Sequence, residues 1–364
     1  DFIIEDDLIA SGSDLEPDET DEDSSAAEES EDESEDEFTK GLLTEGETKD
    51  PLFSLDLSAR SQAGAGAGDD DGDGVPYTFP CPQTHQGLLD ITETLPIAKF
   101  PVVVQRIRTL YHPRLDSKNK ERLATFSRVL VQHVAHLGSS IETDVSPVLE
   151  SVIRHVHSLA KSYPIDIANE FRAHIEDMEK TRPLSLNNSD LAILTAVGTI
   201  FPTSDHFHQV VTPAMLSMGR YMGQKIPQQL CDYAVGTYLS ILTLQYQQLA
   251  KRYVPELMNF CLNALCALGP ARSGEKLLLG FFPLHEPPRG IRVKSAKKAS
   301  VRRLERKDCQ PGDLDDAQEE AASLKKIAIM NTVVSVLSVA AETWSGKPAF
   351  FETFEPAVRV LKHL

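Results

Sequence analysis

The chain has 364 residues and a net charge of −19, unevenly held: residues 1–84 carry 27 Asp and Glu against 3 Lys and Arg, while residues 85–364 carry 28 against 33. A head of −24 repels itself and has little to bury, so it is expected to stay unfolded in isolation, whereas the body at +5 is apolar and periodic enough to fold. The apolar runs are read as too broken to cross a bilayer, the longest, 327–341, being interrupted by Asn331, Thr332, Ser335 and Ser338.

Without an initiating Met, Asp1 is expected to be an internal residue of a longer chain. The arm, residues 1–74, holds small apolar islands among its acids. Phe2, Ile3 and Ile4 form one, and Leu52 with Phe53 opens a second that alternates apolar and polar residues. Each island could dock in a groove on a protein partner; the alternative is a solvated tail with chance hydrophobes. Ser25, Ser30 and Ser34 each have a carboxylate three residues on, the pattern an acid-directed kinase favours. Asp69-Asp70-Asp71-Gly72-Asp73-Gly74 imitates the opening of a calcium loop, but Pro80 stands where the bidentate Glu belongs, so the stretch reads as a linker.

Residues 75–84 hold three prolines with Tyr77 and Phe79 between them. Proline at that density forbids helix and sets an extended ribbon, whose alternate side chains offer Tyr77 and Phe79 to one surface. Helical periodicity then takes over: a short helix at Leu88–Ile91, a second through Val103–Leu110 and a long amphipathic one from Asp116 to Leu137. Further helices are expected over 147–162, 165–180, 189–200, 213–223, 227–252, 255–268, 314–343 and 350–363, with Ser146 and Thr212 supplying capping hydroxyls before Pro147 and Pro213. Almost nothing reads as strand. The fold class is all-α: an irregular helical-repeat solenoid of the HEAT or armadillo kind, with a compact bundle as competitor. Its body runs over 85–268 and resumes at 313–364.

Between them, residues 269–312 lose the helical pattern, and within them the stretch 289–307 gathers Arg289, Arg292, Lys294, Lys297, Lys298, Arg302, Arg303, Arg306 and Lys307 against one acid, Glu305. That density is the electrostatic footprint of an RNA contact or an import signal, or else a solvated loop. Pro287-Pro288 and Pro311-Gly312 frame it as an excursion from the packed core.

Chemistry finds little support. Five scattered cysteines without C-x-x-C spacing argue against a zinc site and fit a reducing compartment. The pairs His133/His136, His155/His157 and His206/His208 have no companion in register for a metal. Asp177 and Glu179 read as ordinary acids of a polar helix face. Gly219 and Gly223, among Met215, Met218 and Met222, suggest close helix packing or a methionine-lined partner groove. No phosphate loop, G-x-S-x-G elbow or H-E-x-x-H occurs, so no cofactor and no enzymatic activity are expected.

Two stretches carry a likeness: Val75 to Leu89, spanning the Pro-Tyr-Phe ribbon and its first helix, and Val104 to Leu123, with a central segment Val211 to Gln224 beside them. Together they resemble the nucleolar protein 14 family. The resemblance implies a nucleolar, non-enzymatic scaffold of the small-subunit processome, needed for small-subunit ribosomal RNA maturation. It further implies association with nucleolar complex protein 4, with the pseudouridine methyltransferase of the same pathway, with other processome proteins, and with pre-rRNA or small nucleolar RNA. No membrane or small-molecule substrate is expected. An acidic histone chaperone or transport-type solenoid is the alternative reading.

Overall fold

The computed structural model describes residues 75–93, 95–140, 145–204, 206–270, 280, 282–293, 302–310 and 319–364. Phe2, Ile3, Ile4, Leu52 and Phe53 lie outside the described residues, as do Lys294, Lys297 and Lys298. The described chain forms eleven α-helices: α1 His85–Thr92, α2 Phe100–Leu110, α3 Lys118–Ser139, α4 Val145–Ser162, α5 Pro164–Thr181, α6 Asn188–Ile200, α7 Val211–Gln224, α8 Leu230–Tyr246, α9 Pro255–Leu268, α10 Glu319–Trp344 and α11 Phe350–His363. Short 3-10 turns occur at Ile97–Lys99 and Arg306–Cys309, and no strand occurs among the described residues.

Local chemistry sets the starts. The Thr84 hydroxyl accepts the Gly87 N–H at 3.2 Å to open α1, and proline sits in the first turn of α2, α5 and α9. At α6 the Asn187 side chain accepts from the Asp190 N–H and the Asp190 carboxylate accepts from the Asn187 N–H, both at 3.0 Å. Ser146 and Thr212 are not caps, because their helices begin one residue earlier, at Val145 and Val211. His208 replaces the expected hydroxyl: its Nδ1 accepts from the N–H groups of Val210 and Val211, both at 3.2 Å. The helix expected over 227–252 is shorter, since after Tyr246 the chain turns and Lys251 adopts a φ of 49°.

The α3 stripe of Leu123, Phe126, Leu130, Val134 and Leu137 is buried as its spacing requires, and α3 packs on α1, α4, α5 and α6. Beyond α3, which meets its third neighbour α6, helices meet their second neighbours. In one row α3 touches α6, α6 touches α8 and α8 touches α10; in the other α5 touches α7, α7 touches α9 and α9 touches α11. Asp177 and Glu179 are braces rather than idle surface acids. Asp177 accepts from Arg182 at 2.7 Å, and Glu179 takes the Ser217 hydroxyl at 2.5 Å and the Arg220 guanidinium, tying α5 to α7. Asp190, with a fully buried side chain, also accepts from Arg182 at 2.8 Å. Burial opposes its charge, but the bonds from His174 and Arg182 outweigh it and hold its pKa down to about 2.

Close helix approach falls at other glycines than the pair read from the sequence. A Cβ on Gly198 would lie 2.2 Å from the Tyr246 ring, and one on Gly236 would lie 2.2 Å from the Phe260 ring. The Tyr246 hydroxyl donates to the Leu194 carbonyl at 2.5 Å, fixing its ring against α6. Gly219 faces open space, while a Cβ on Gly223 would meet only Glu256. Met215 is half-buried, while Met218 and Met222 are enclosed. Both are buried against α8, where the Ser240 hydroxyl donates to the Met222 sulfur at 3.5 Å.

Helix α10 corrects a second expectation: by length and composition Ala321–Trp344 is apolar enough to cross a membrane. In the fold one face of it, including Ala328, Ile329, Val333, Leu337 and Ala340, is buried, and α10 packs on α8, α9 and α11. Trp344 closes that contact, its indole N–H donating to the Arg252 carbonyl at 3.1 Å. Replacing Gly198 by Ala forces the new methyl into the Tyr246 ring and should cost about 2 kcal/mol. Gly219→Ala, on an open helix face, should stabilise by roughly 0.5–1 kcal/mol. Urea unfolding of the two variants checks the opposite signs.

Candidate functional site

The described part of the basic segment is stitched to the helical body, not looped away from it. The Val293 N–H donates to the Leu268 carbonyl at 2.8 Å. Arg292 donates to the carbonyls of Cys266 and Gly269 at 3.2 and 3.3 Å, and Ile291 is buried. On α9, Asn263 donates to the Pro283 carbonyl at 2.9 Å and accepts the His285 N–H at 2.8 Å. Further along, Arg306 donates to the carbonyls of Leu137 and Gly138, closing the C-terminal end of α3 where a cation suits the helix dipole. Its 3-10 turn packs on α8, with Asp308 and Cys309 buried.

The nine candidate cations therefore divide. Arg292 and Arg306 serve main-chain carbonyls, and Arg302 holds Asp308 with two bonds of 2.7 Å. Arg289, Arg303 and Lys307 are exposed, with Lys307 paired to Glu305 at 2.6 Å. Lys294, Lys297 and Lys298 lie outside the described residues.

The ribbon has the alternation expected of it: Val75 and Phe79 are buried and Tyr77 half-buried, while Pro76, Thr78 and Pro80 face outward. The surface it meets is the chain's own. Phe79 is 7% exposed, Arg106 stacks over the Tyr77 ring at 5.1 Å, and Arg106 donates to the carbonyls of Val75 and Pro76 at 2.6 and 2.8 Å. Nothing in the residue pattern marks this anchor, because a guanidinium within an otherwise apolar helix reads as its solvent face.

His133 and His136 do have a companion, contributed from outside their helix. His85 Nε2 lies 3.3 Å from His133 Nδ1, the three rings sit 5.3 to 5.6 Å apart, and Phe100 packs on His133 at 4.3 Å. Among the described residues no group of three His, Cys, Asp or Glu is placed to hold a metal ion. Spacing along one helix could not reveal a third ring 48 residues away. Burial, reinforced by the His85 and His136 rings, pulls the His133 pKa from 6.5 down to about 3, and burial lowers that of His85 as well.

Elsewhere an open groove of ≈ 410 Å³ runs between the start of α3 and the α4–α5 corner, with Lys120, Glu121 and Asp166 around Tyr163 and Ile165. On α11 the side chains of Phe351, Val358 and Leu361 are exposed, Phe351 by 81%. Large apolar groups left in water on one helix mark a surface suited to a partner.

The histidine cluster makes stability acid-sensitive. Below pH 6.5 an unfolded His133 takes up a proton that the folded ring, with its pKa near 3, refuses, so stability falls as pH drops through that window. His133→Gln should flatten the dependence of the thermal midpoint on pH between 6.5 and about 4, as read by circular dichroism melts.

Comparison with known proteins completes the picture. A Yarrowia lipolytica protein named "Probable nucleolar complex protein 14" is 32% identical over 77% of this chain and 33% of its own length. A Schizosaccharomyces pombe protein of the same name is 31% identical over 79% of the chain and 35% of its own length. Nucleolar protein 14 of Mus musculus is 27% identical over 80% and 35%. The chain thus spans about a third of the length of these relatives. Their names place the protein in the nucleolus, across yeasts and mammals alike. With residues 1–364 matching the profile of the Nop14-like family, the chain belongs to that family.

Proposed function

We propose that this chain is a non-enzymatic scaffold segment of the small-subunit processome, binding other assembly factors and pre-rRNA during small-subunit maturation. The observation that carries the reading is family membership over the full length of the chain, with relatives named as parts of a nucleolar complex. The two rows of helices support it. Linked through second-neighbour contacts, they suit an irregular helical-repeat solenoid, an architecture that offers long surfaces without a central pocket.

Protein contact is assigned to the apolar face of α11, where Phe351, Val358 and Leu361 present a helix-on-helix surface. Nucleolar complex protein 4 and the pseudouridine methyltransferase of the pathway are the partners the resemblance implies. RNA contact falls to the cations still facing solvent, Arg289, Arg303 and Lys307. Such contacts are salt-sensitive and tolerant of sequence, which suits a scaffold rather than a reader of one RNA motif.

Replacing Arg289, Arg303 and Lys307 together by Glu should reduce pre-rRNA crosslinking to the assembled particle. In a purified system it should lower the slope of log affinity against log salt by about 2, since each phosphate contact on a single strand contributes roughly 0.7. An unchanged slope would remove these residues from the RNA interface. Histone capture that vanishes on deletion of residues 1–50, with particle incorporation intact, would favour the acidic-chaperone reading instead.

A further inference from the structure

The open groove at the start of α3 keeps its acids inside and most of its cations outside. Tyr163 and Ile165 give it an apolar floor, and Lys120, Glu121 and Asp166 stand in its lining beside the hydroxyl groups of Ser117 and Ser162. Ile165 is 71% exposed, a large apolar group left in water. Among the described residues the carboxylates of Glu121 and Asp166 have no hydrogen-bond or ion-pair partner. At ≈ 410 Å³ the groove falls within the range of small-ligand sites.

Beyond that lining, Lys118 and Arg122 flank Lys120 along α3 and Arg114 stands in the turn before it, all of them exposed and accompanied by the acid Asp116. A nucleotide carries the complementary order of charge. Its phosphates are anionic, while adenine, guanine and cytosine each present an amino group that a carboxylate can accept from. Single-stranded RNA also leaves base faces unstacked, and an apolar floor with an aromatic ring suits them. An acidic peptide would set its carboxylates against Glu121 and Asp166, and a basic one would meet the outer cations.

We propose that this groove is a nucleotide site for single-stranded RNA: the base rests on Tyr163 and Ile165, its amino group donates to Glu121 or Asp166, and Lys118 and Lys120 hold the flanking phosphates. The inference rests on the reading of the chain as an RNA-contacting scaffold, but it names a separate place. Arg306 binds at the C-terminal end of α3, with Arg303 and Lys307 beside it in sequence. For a helix of 22 residues that is roughly 30 Å from the groove. One position of base preference is thereby added to contacts that are otherwise tolerant of sequence.

Fluorescence anisotropy of the full chain with labelled oligocytidine and oligouridine of equal length tests the site, because uracil has no amino group to donate. Oligocytidine should bind about tenfold more tightly. Replacing Glu121 and Asp166 together by Ala should erase that preference while raising affinity for both oligomers, since two negative charges leave. Lys118 and Lys120 changed to Ala should weaken both alike and lower the salt slope. Glu in place of Arg289, Arg303 and Lys307 should leave the preference intact. Equal wild-type affinities for the two oligomers, or a preference that survives loss of both carboxylates, would overturn the site without touching the contacts of Arg289, Arg303 and Lys307. A photoreactive group placed at Ile165 that crosslinks only to protein in assembled particles would overturn it too, giving the groove to a peptide.

Discussion

Guanidinium groups bonded to main-chain carbonyls hold the non-helical parts of this molecule in place. Neither a ribbon lying on a helical body nor the last turn of a helix can satisfy its own carbonyls by a ladder, and burying them unbonded is unfavourable. Arg106 serves Val75 and Pro76, Arg292 serves Cys266 and Gly269, and Arg306 serves Leu137 and Gly138. Arginine suits the task because a single terminal nitrogen carries two N–H donors, enough for both acceptors, and the group keeps its charge when enclosed. Remove these bonds and the helices would keep their neighbours, but the ribbon and the basic segment would lose their register on them.

The same interaction explains what was and was not legible in the residues. Periodicity located all eleven helices, because the apolar positions of α3 or α9 repeat at 3.6 residues and their partners lie on adjacent helices. Boundaries failed where a side chain outside the usual set did the capping, as His208 does for α7. The basic segment was legible as charge, but a charge count cannot say which cations face inward. Arg292 and Arg306 are structural for reasons held by α9 and α3, far off in sequence. His85 joins His133 and His136 on the same terms, and Gly198 and Gly236 are notches only because Tyr246 and Phe260 arrive there.

A chain of this kind has its surfaces where helices end a row or leave a face uncovered. The row contacts run through α8 and α9, where aromatic rings are set into glycine notches, so close packing concentrates in the middle of the body. Phe351, Val358 and Leu361 form an exposed apolar stripe on α11, and exposed cations sit in the segment that precedes α10. Membership in a nucleolar family and this distribution both support the scaffold role proposed above. Residues 1–84 are opposite in charge to the rest of the chain.

Arg306 reaches the end of α3 across a sequence separation of 168 residues. During synthesis, then, α3 must wait with its final carbonyls open to water until a segment made far later emerges. At roughly 5–20 residues per second that interval is on the order of ten seconds or more, long compared with the folding of any single helix pair. The amino-terminal helices of this body are therefore assembled early but locked late, and a nascent chain stalled before Arg306 would carry them unfastened.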